Sequence, residues 1–368
     1  MGTLTFFPWM TVAAPSTVDA FQLLPVSIED DGTLIGDVDA SVAADVLRVL
    51  KPYRMPPDRA LTSATLVCHP DKMLTVDLGD GDIADAFELA EAVAFSGLSA
   101  RRFFEHNAYS NRDTFSAVVQ RFAASSGGAS MRHRRRDGSV LGYWPDEYFK
   151  VVKELHIEEK AKYAVDELFA SAVLRTMRED EKFDRAIRSF NEANTDRSSS
   201  NEVLELVSTV SAFQQLLDVP GGNVRETREK FLKAMEPVPV RAQHSSNAAV
   251  EARLSKFANL RDLWMADLCN LRGSVGHGHR VDAYPALWSP MQHLLLAAHI
   301  FPSLVRLRLA AEGGIELSKD DKFKLGVFDR LLAASDVFGV KRDKSGLTEG
   351  HLWNEVWAEA DWSGVGDW

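Results

Sequence analysis

The sequence predicts a mainly α protein: an α+β domain over residues 1–144, a helical domain over 145–315 and an appended tail over 316–368. Three observations carry this reading. The chain has 368 residues, more than one typical hydrophobic core, which suggests two domains. Short β-branched and aromatic runs bounded by Pro, Asp and Gly fall in the first part of the chain. From about Pro145 to Ala311 the pattern changes, and apolar residues recur at three and four.

Taken in order, Thr3 to Thr11, Phe21 to Ile28, Ala64 to Cys68 and Met73 to Leu78 read as strands. Asp30-Asp31-Gly32 and Asp80-Gly81-Asp82 are turn signals. Val38 to Leu50 and Ile83 to Phe104 read as helices, and Phe115 to Phe122 as a further strand. Ser125 to Ser130 is a small-residue loop, and Asp137-Gly138 suggests a hairpin. Asp146 to Arg178 then reads as one or two helices and Lys182 to Ala193 as another. Ser199-Ser200-Asn201-Glu202 fits a capping box that opens a helix to about Val219, ended by Pro220-Gly221-Gly222. Asn223 caps a helix through Met235, before Pro237 and Pro239. The longest pattern runs from Asn247 to Ser274. There Leu254, Phe257, Leu260, Trp264, Leu268, Leu271 and Val275 make one apolar face. Gly273 and Gly276 weaken its end. Ser289-Pro290 opens a final helix, with a kink expected at Pro302.

Composition sets limits on function. Apolar content of 45% and charged content of 26% are those of a soluble globular protein. No apolar run reaches the roughly 18 residues of a membrane span, and Met1 to Met10 has no basic leader. Cys68 and Cys269 suggest no disulfide framework. A cytoplasmic location is therefore expected. The net charge of −11 argues against nonspecific coating of nucleic acid, but leaves room for an RNA-cutting enzyme with a local basic cleft.

One stretch carries chemistry: Leu271-Arg272-Gly273-Ser274-Val275-Gly276-His277-Gly278-His279. Arginine offers a fixed fork of donors to a phosphate and keeps its charge. Histidine gives or takes a proton near neutral pH. Arg272, four residues, His277 and then Gly278 resembles the RX4-6H motif of the HEPN superfamily. Val210-Ser211-Ala212-Phe213-Gln214-Gln215-Leu216-Leu217 resembles an earlier helix of the Apea-like HEPN branch. The resemblance covers roughly residues 145 to 312. It implies a HEPN-like helical bundle acting as a metal-independent endoribonuclease without cofactors. In that reading Arg272 binds the scissile phosphate and His277, or His279 by the looser spacing, moves the proton. The products are a 2′,3′-cyclic phosphate and a 5′-OH. A homodimer would join two copies of the motif, and a role as a toxin or effector of antiviral (anti-phage) defence follows by analogy. Two positions depart from the family pattern. Gly273 stands where a polar residue is common, and Gln214 near where an acidic residue is common, with Glu202 and Glu205 on the same helix.

Other features point less sharply. His277 and His279 would need further ligands to hold a metal; His293 and His299, six apart, do not share one face well, so no metal site is expected. Cys68-His69-Pro70-Asp71 reads as a turn after a strand. The run Arg132, His133, Arg134, Arg135, Arg136 is the densest positive patch and suits an RNA backbone or a salt-bridged surface, beside Tyr143 and Trp144. The last 16 residues hold four tryptophans, Trp353, Trp357, Trp362 and Trp368, among acidic residues. They suit packing of a C-terminal helix or contact with a regulatory partner, and the N-terminal domain suits a trigger-sensing role. The alternatives to an enzyme are a non-catalytic RNA- or nucleotide-binding HEPN module and a scaffold subunit of a larger complex.

Overall fold

In the computed structural model, β1 (Gly2–Phe7) is buried along its whole length, because it lies inside a sheet covered by a helix on each face. The structure describes residues 2–104, 109–122, 129–131, 150–157, 162–197, 199–280, 283–334, 337, 340–342 and 348–350. The chain divides into two compact units, Met1–Ala100 with Ser110–Arg175 and Arg101–Tyr109 with Thr176–Trp368. The sequence places the boundary at 144/145; the compact units divide at 175/176.

The first unit is a strand-and-helix domain. After β1 come β2 (Ser16–Val18), β3 (Phe21–Ile28), β4 (Leu34–Gly36), α1 (Ala40–Leu50), β5 (Tyr53–Met55), β6 (Arg59–Ala60), β7 (Ser63–Cys68), α2 (Asp80–Ser99), β8 (Val118–Phe122), β9 (Ala129–Met131) and β10 (Val151–Val152). The main sheet runs β2-β3-β7-β1-β8-β9, with β4 on β3. β1 is antiparallel to both neighbours, with Thr5 opposite Val67 and Val119. Side chains alternate across a strand. Leu4 and Phe6 therefore join Leu24, Leu66 and the α1 residues Val46, Val49 and Leu50 in one core. Val119 joins Ile83 and Ala86 of α2 in another.

Four expectations for this unit are corrected. The first strand stops at Phe7, since Pro8 has no N–H for the ladder. Met73 to Leu78 is irregular. β7 reaches β1 only over Thr5–Phe7, and beyond it the Val76 carbonyl accepts the Thr3 N–H at 2.9 Å. The helix expected over Asp146 to Arg178 begins only at Glu167. Upstream, the β-branched pair Val151-Val152 forms β10, parallel to β5, held by Val151 N–H to Pro52 O and Lys153 N–H to Arg54 O. The strand Ala129–Met131 also takes the end of the expected loop. The 137–138 hairpin lies outside the described residues.

α3 (Glu167–Glu179) carries the chain across the division. The second unit contains α4 (Glu181–Glu192), α5 (Glu202–Leu216), α6 (Val224–Ala234), α7 (Ala248–Leu254), α8 (Leu260–Gly276), α9 (Pro290–Ala311) and α10 (Lys319–Ala333), then a short pair β11 (Val340–Arg342) and β12 (Thr348–Gly350). Each of α4 to α10 starts on a polar residue whose side chain accepts a free backbone N–H: Asp180, Asn201, Asn223, Asn247, Asn259, Ser289 and Ser318. The single helix expected from Asn247 to Ser274 is thus two. Asn259 Oδ1 accepts the Asp262 N–H at 3.0 Å, and Asp262 Oδ2 accepts the Ala258 N–H at 3.0 Å, which restarts the helix at Leu260. α10 packs on α8 and α9, so the chain from Lys319 to Ala333 belongs to the bundle and not to a separate tail. Among the described residues the fold is mainly α with an N-terminal strand-containing part.

α8 sits at the centre of the bundle, contacting α5, α6, α7 and α10. Trp264 is fully buried, edge-on to Phe213 of α5 at 5.9 Å and to Phe328 of α10 at 5.2 Å. Phe213 in turn meets Phe301 of α9 edge-on, and Phe301 stacks on Phe190 of α4 at 4.6 Å. α9 is long and apolar enough to cross a membrane, and 67% of that window is buried within the protein, as in a core helix. It runs unbroken through Pro302.

Arg261 of α8, 2% exposed, forms a bidentate pair with Asp329 of α10, Nε to Oδ1 at 2.6 Å and Nη2 to Oδ2 at 2.8 Å. Its remaining donors reach the Met235, Val238 and Pro239 carbonyls. All five guanidinium N–H groups are used. Asp329→Ala strips this buried cation of its counter-charge and is expected to cost about 3–5 kcal/mol. Urea unfolding monitored by tryptophan fluorescence checks this, and a loss below about 1 kcal/mol contradicts it.

Candidate functional site

From Leu260 to Leu271 nearly every residue of α8 is buried, yet this stretch includes three charged residues, and a fourth, Arg272, follows. Arg261 is matched as above. Asp262 receives a bidentate fork from Arg228 of α6 at 2.8 and 2.9 Å. Asp267, 2% exposed, accepts from four donors of the segment after the motif: Tyr284 Oη, the Leu287 and Trp288 N–H groups, and His293 Nε2. It folds the chain that leaves the motif back onto α8. Burial and the Asp267 carboxylate together raise the Tyr284 phenol above its usual range.

Arg272 differs. It is half-buried, and its Nε is enclosed without a hydrogen-bond partner among the described residues. Its Nη1 lies 3.9 Å from the place a Cβ on Gly222 would take, and Gln214 Nε2 lies 4.0 Å from the same place. Gly222 closes the connection between α5 and α6 at φ +73°, a backbone that L side chains rarely adopt. Arg272 thus reaches across to α5 and to the start of α6. Its charge is also felt by Cys269, one turn back on α8. Burial pushes that thiol up to about 12, with Arg272 and Arg228 acting in the opposite direction.

His277 and His279 stand at the helix end and are exposed. The end is a Schellman turn. Gly278 N–H bonds Val275 O at 3.0 Å, His279 N–H bonds Ser274 O at 3.2 Å, and Gly278 has φ +83°. Five helical residues turn about 140° around the axis and rise about 7.5 Å. Arg272 and His277 therefore leave α8 in different directions. His279 instead lines an open groove with Arg280, Tyr284, Ser289 and Glu202 of α5. Glu205, one turn on, is held above the usual carboxylate range by burial, against a hydrogen bond from Ser200.

The other sequence-stretch candidates fall elsewhere. His293 bonds Asp267, and His299 Nε2 bonds the Lys324 carbonyl at 2.8 Å, with burial pulling its imidazole down to about 4. His69 pairs with Thr5 Oγ1 at 3.1 Å. Among the described residues no group of three or more His, Cys, Asp and Glu is placed to hold a metal ion. Arg132, Arg134, Arg135 and Arg136, with Tyr143 and Trp144, lie outside the described residues, as do Trp353, Trp357, Trp362 and Trp368. Sequence reasoning did not find Asp267 or Arg228 as supports, nor the approach of Gly222 to Arg272. The signal for Asp267 is a lone carboxylate between Ala266 and Leu268 in an apolar helix, a position that demands buried donors.

Searches against protein-family models, curated proteins and solved structures return no match. The reading of this site therefore rests on its own residues and geometry.

The two glycine classes at the motif separate experimentally. A Cβ meets nothing within 4 Å at Gly273, which is helical, whereas Gly278 has positive φ. Gly273→Ala is expected to stabilise by about 0.5–1 kcal/mol, and Gly278→Ala to destabilise by about 1 kcal/mol. Denaturation midpoints of the two variants check the signs.

Proposed function

We propose that the second unit is a metal-independent endoribonuclease of the HEPN type. The observation that carries this reading is the enclosed, unpartnered Nε of Arg272, on a helix whose other buried ions are matched, five residues before an exposed histidine held by a Schellman turn. A buried donor left open is costly for stability alone. Nε itself is closed to solvent, so in this reading the Nη groups of the half-buried guanidinium receive the phosphate oxygen.

In this reading Arg272 binds the scissile phosphodiester and offsets charge as it builds at phosphorus. His277 accepts the ribose 2′-OH proton. The 2′-oxygen forms its bond to phosphorus as the bond to the 5′-oxygen breaks, and a proton delivered to that oxygen completes the 5′-OH. His279, in the groove with Arg280 and Tyr284, is the second candidate for a proton-transfer role. Because Arg272 and His277 diverge around α8, a symmetric dimer that sets the arginine of one copy near the histidine of the other would complete the site. The Arg132 to Arg136 run suits an RNA backbone by its charge. A toxin or effector role in defence against phage, with the first unit sensing a trigger, follows by analogy with HEPN proteins.

The same divergence, with an amide at Gln214, favours a second reading: a HEPN module that binds RNA without cutting it. Cleavage of a mixed RNA pool in EDTA separates the two. The nuclease reading expects wild-type cutting to 2′,3′-cyclic phosphate ends, reduced at least 100-fold in His277→Ala. RNA retained by the wild type without new ends supports the binding module. Equal cutting by both proteins removes His277 from the mechanism.

A further inference from the structure

The strongest unassigned feature is the convergence of two donors on Gly222. Gln214 is 8% exposed. Its Nε2 contacts Thr227 Oγ1 at 3.5 Å, and Thr227 Oγ1 gives its own proton to the Asn223 carbonyl at 2.8 Å. With that proton committed, Thr227 can only accept, so the Gln214 atom beside it is the NH2 group and not the carbonyl oxygen. The neighbour favours this orientation of the amide. One amide proton is directed at Thr227, which leaves Nε2 a second donor proton near Gly222. There Gln214 Nε2 and Arg272 Nη1 lie within 4.0 and 3.9 Å of one point. A third donor, Arg272 Nε, is enclosed on the same side chain.

We propose that Gln214 is a phosphate-binding residue, which shares one phosphodiester with Arg272 over the bare face of Gly222. The ligand chemistry is a phosphodiester monoanion with two non-bridging oxygens. Arg272 supplies charge and a planar fork, and Gln214 supplies a neutral hydrogen bond that fixes the orientation of the group. A Cβ on Gly222 would stand in van der Waals contact with both nitrogens, and the positive φ there disfavours one. An acidic side chain at position 214 would instead set a like charge beside the bound phosphate. The amide is thus a binding device in its own right. This rests on the proposed role of Arg272 in holding phosphate, but not on cleavage.

Binding to a chain that cannot be cut tests it. The probe is a fluorescein-labelled 2′-O-methyl RNA 12-mer, which lacks the attacking hydroxyl, read by fluorescence anisotropy on the full-length protein over a salt series. Gln214→Leu is expected to weaken binding about tenfold with an unchanged salt slope, since no charge is lost. Arg272→Met is expected to weaken it and to reduce the slope by about 0.7. Because both residues hold one phosphate, Gln214→Leu in the Arg272→Met background is expected to add less than about twofold. Gln214→Glu is expected to bind more weakly than Gln214→Leu. Thermal unfolding of Gln214→Leu in the absence of ligand serves as the fold control, with an unchanged midpoint expected. Additive losses, or a Gln214→Glu variant that binds as tightly as wild type, overturn the proposal. Inorganic phosphate supplies the second arm. If it raises the wild-type melting temperature, but not that of Gln214→Leu or Arg272→Met, while the 12-mer does not bind, the donor pair stands and the RNA reading falls. If neither ligand binds, the donor pair itself is refuted. Binding as expected, together with no cutting of ordinary RNA, leaves this proposal intact and removes only the nuclease.

Discussion

The helical unit depends on the Arg261–Asp329 pair. Two ions this deeply buried are costly to desolvate, and the protein offsets that cost by using every donor of the guanidinium, two on the carboxylate and three on main-chain carbonyls. Asp329 also accepts the Arg241 N–H at 2.7 Å. One interaction thus fixes α8 against α10 and captures the irregular chain from Met235 to Arg241. With its N-terminal half held in this way, and by Arg228 to Asp262, α8 can act as a rigid arm that places its far end.

What the far end presents follows from the same rule applied twice. Asp267 is buried and gathers donors from Tyr284, Leu287, Trp288 and His293, so the chain leaving the motif has a defined path. Arg272, one turn and a half further on, is held in place beside Gly222 and Gln214 but keeps an open donor. Charged residues on a buried helix are either matched or reserved, and the motif residue is the one reserved. Just beyond it the Schellman turn ends the helix, exposing His277 and turning His279 towards the groove beside α5. The contrast holds among the charged residues of α8; Trp264 Nε1, earlier on the same helix, is likewise enclosed without a hydrogen-bond partner among the described residues.

Much of this was legible in the sequence, and for local reasons. Asn223 and Ser289 cap helices where their short polar side chains suggest, whereas the box expected over Ser199 to Glu202 is replaced by a cap from Asn201 alone; the Leu260–Leu271 periodicity lies on a face that packs. β3 and β7 follow from β-branched and aromatic runs between turn residues, and α1 from a helical pattern. What was not legible is tertiary. Asn247 to Ser274 keeps an apolar period through Leu254 and Phe257, and the period conceals a break where Asn259 caps α8 and the Asp262 carboxylate accepts the Ala258 N–H. Val151-Val152 becomes a strand because β5 offers an open edge. The residues from Lys319 read as a tail by composition, and the partner of Arg261, with Phe328 against Trp264, shows that they complete the core. At the site, Arg272 and His277 are visible as a motif. Their divergence around α8, and the meeting of Arg272 with Gln214 over a glycine from another connection, exist only in three dimensions.

The central claim is that Arg272 is kept for a ligand and not for the fold. Equilibrium unfolding of Arg272→Met against wild type, in phosphate-free buffer, tests it most directly. Removing an enclosed donor without a partner, and substituting an apolar chain of similar length, should leave the protein as stable or raise its stability by about 0.5–2 kcal/mol. A fall of more than about 1 kcal/mol would show that Arg272 holds the bundle together and would contradict the account.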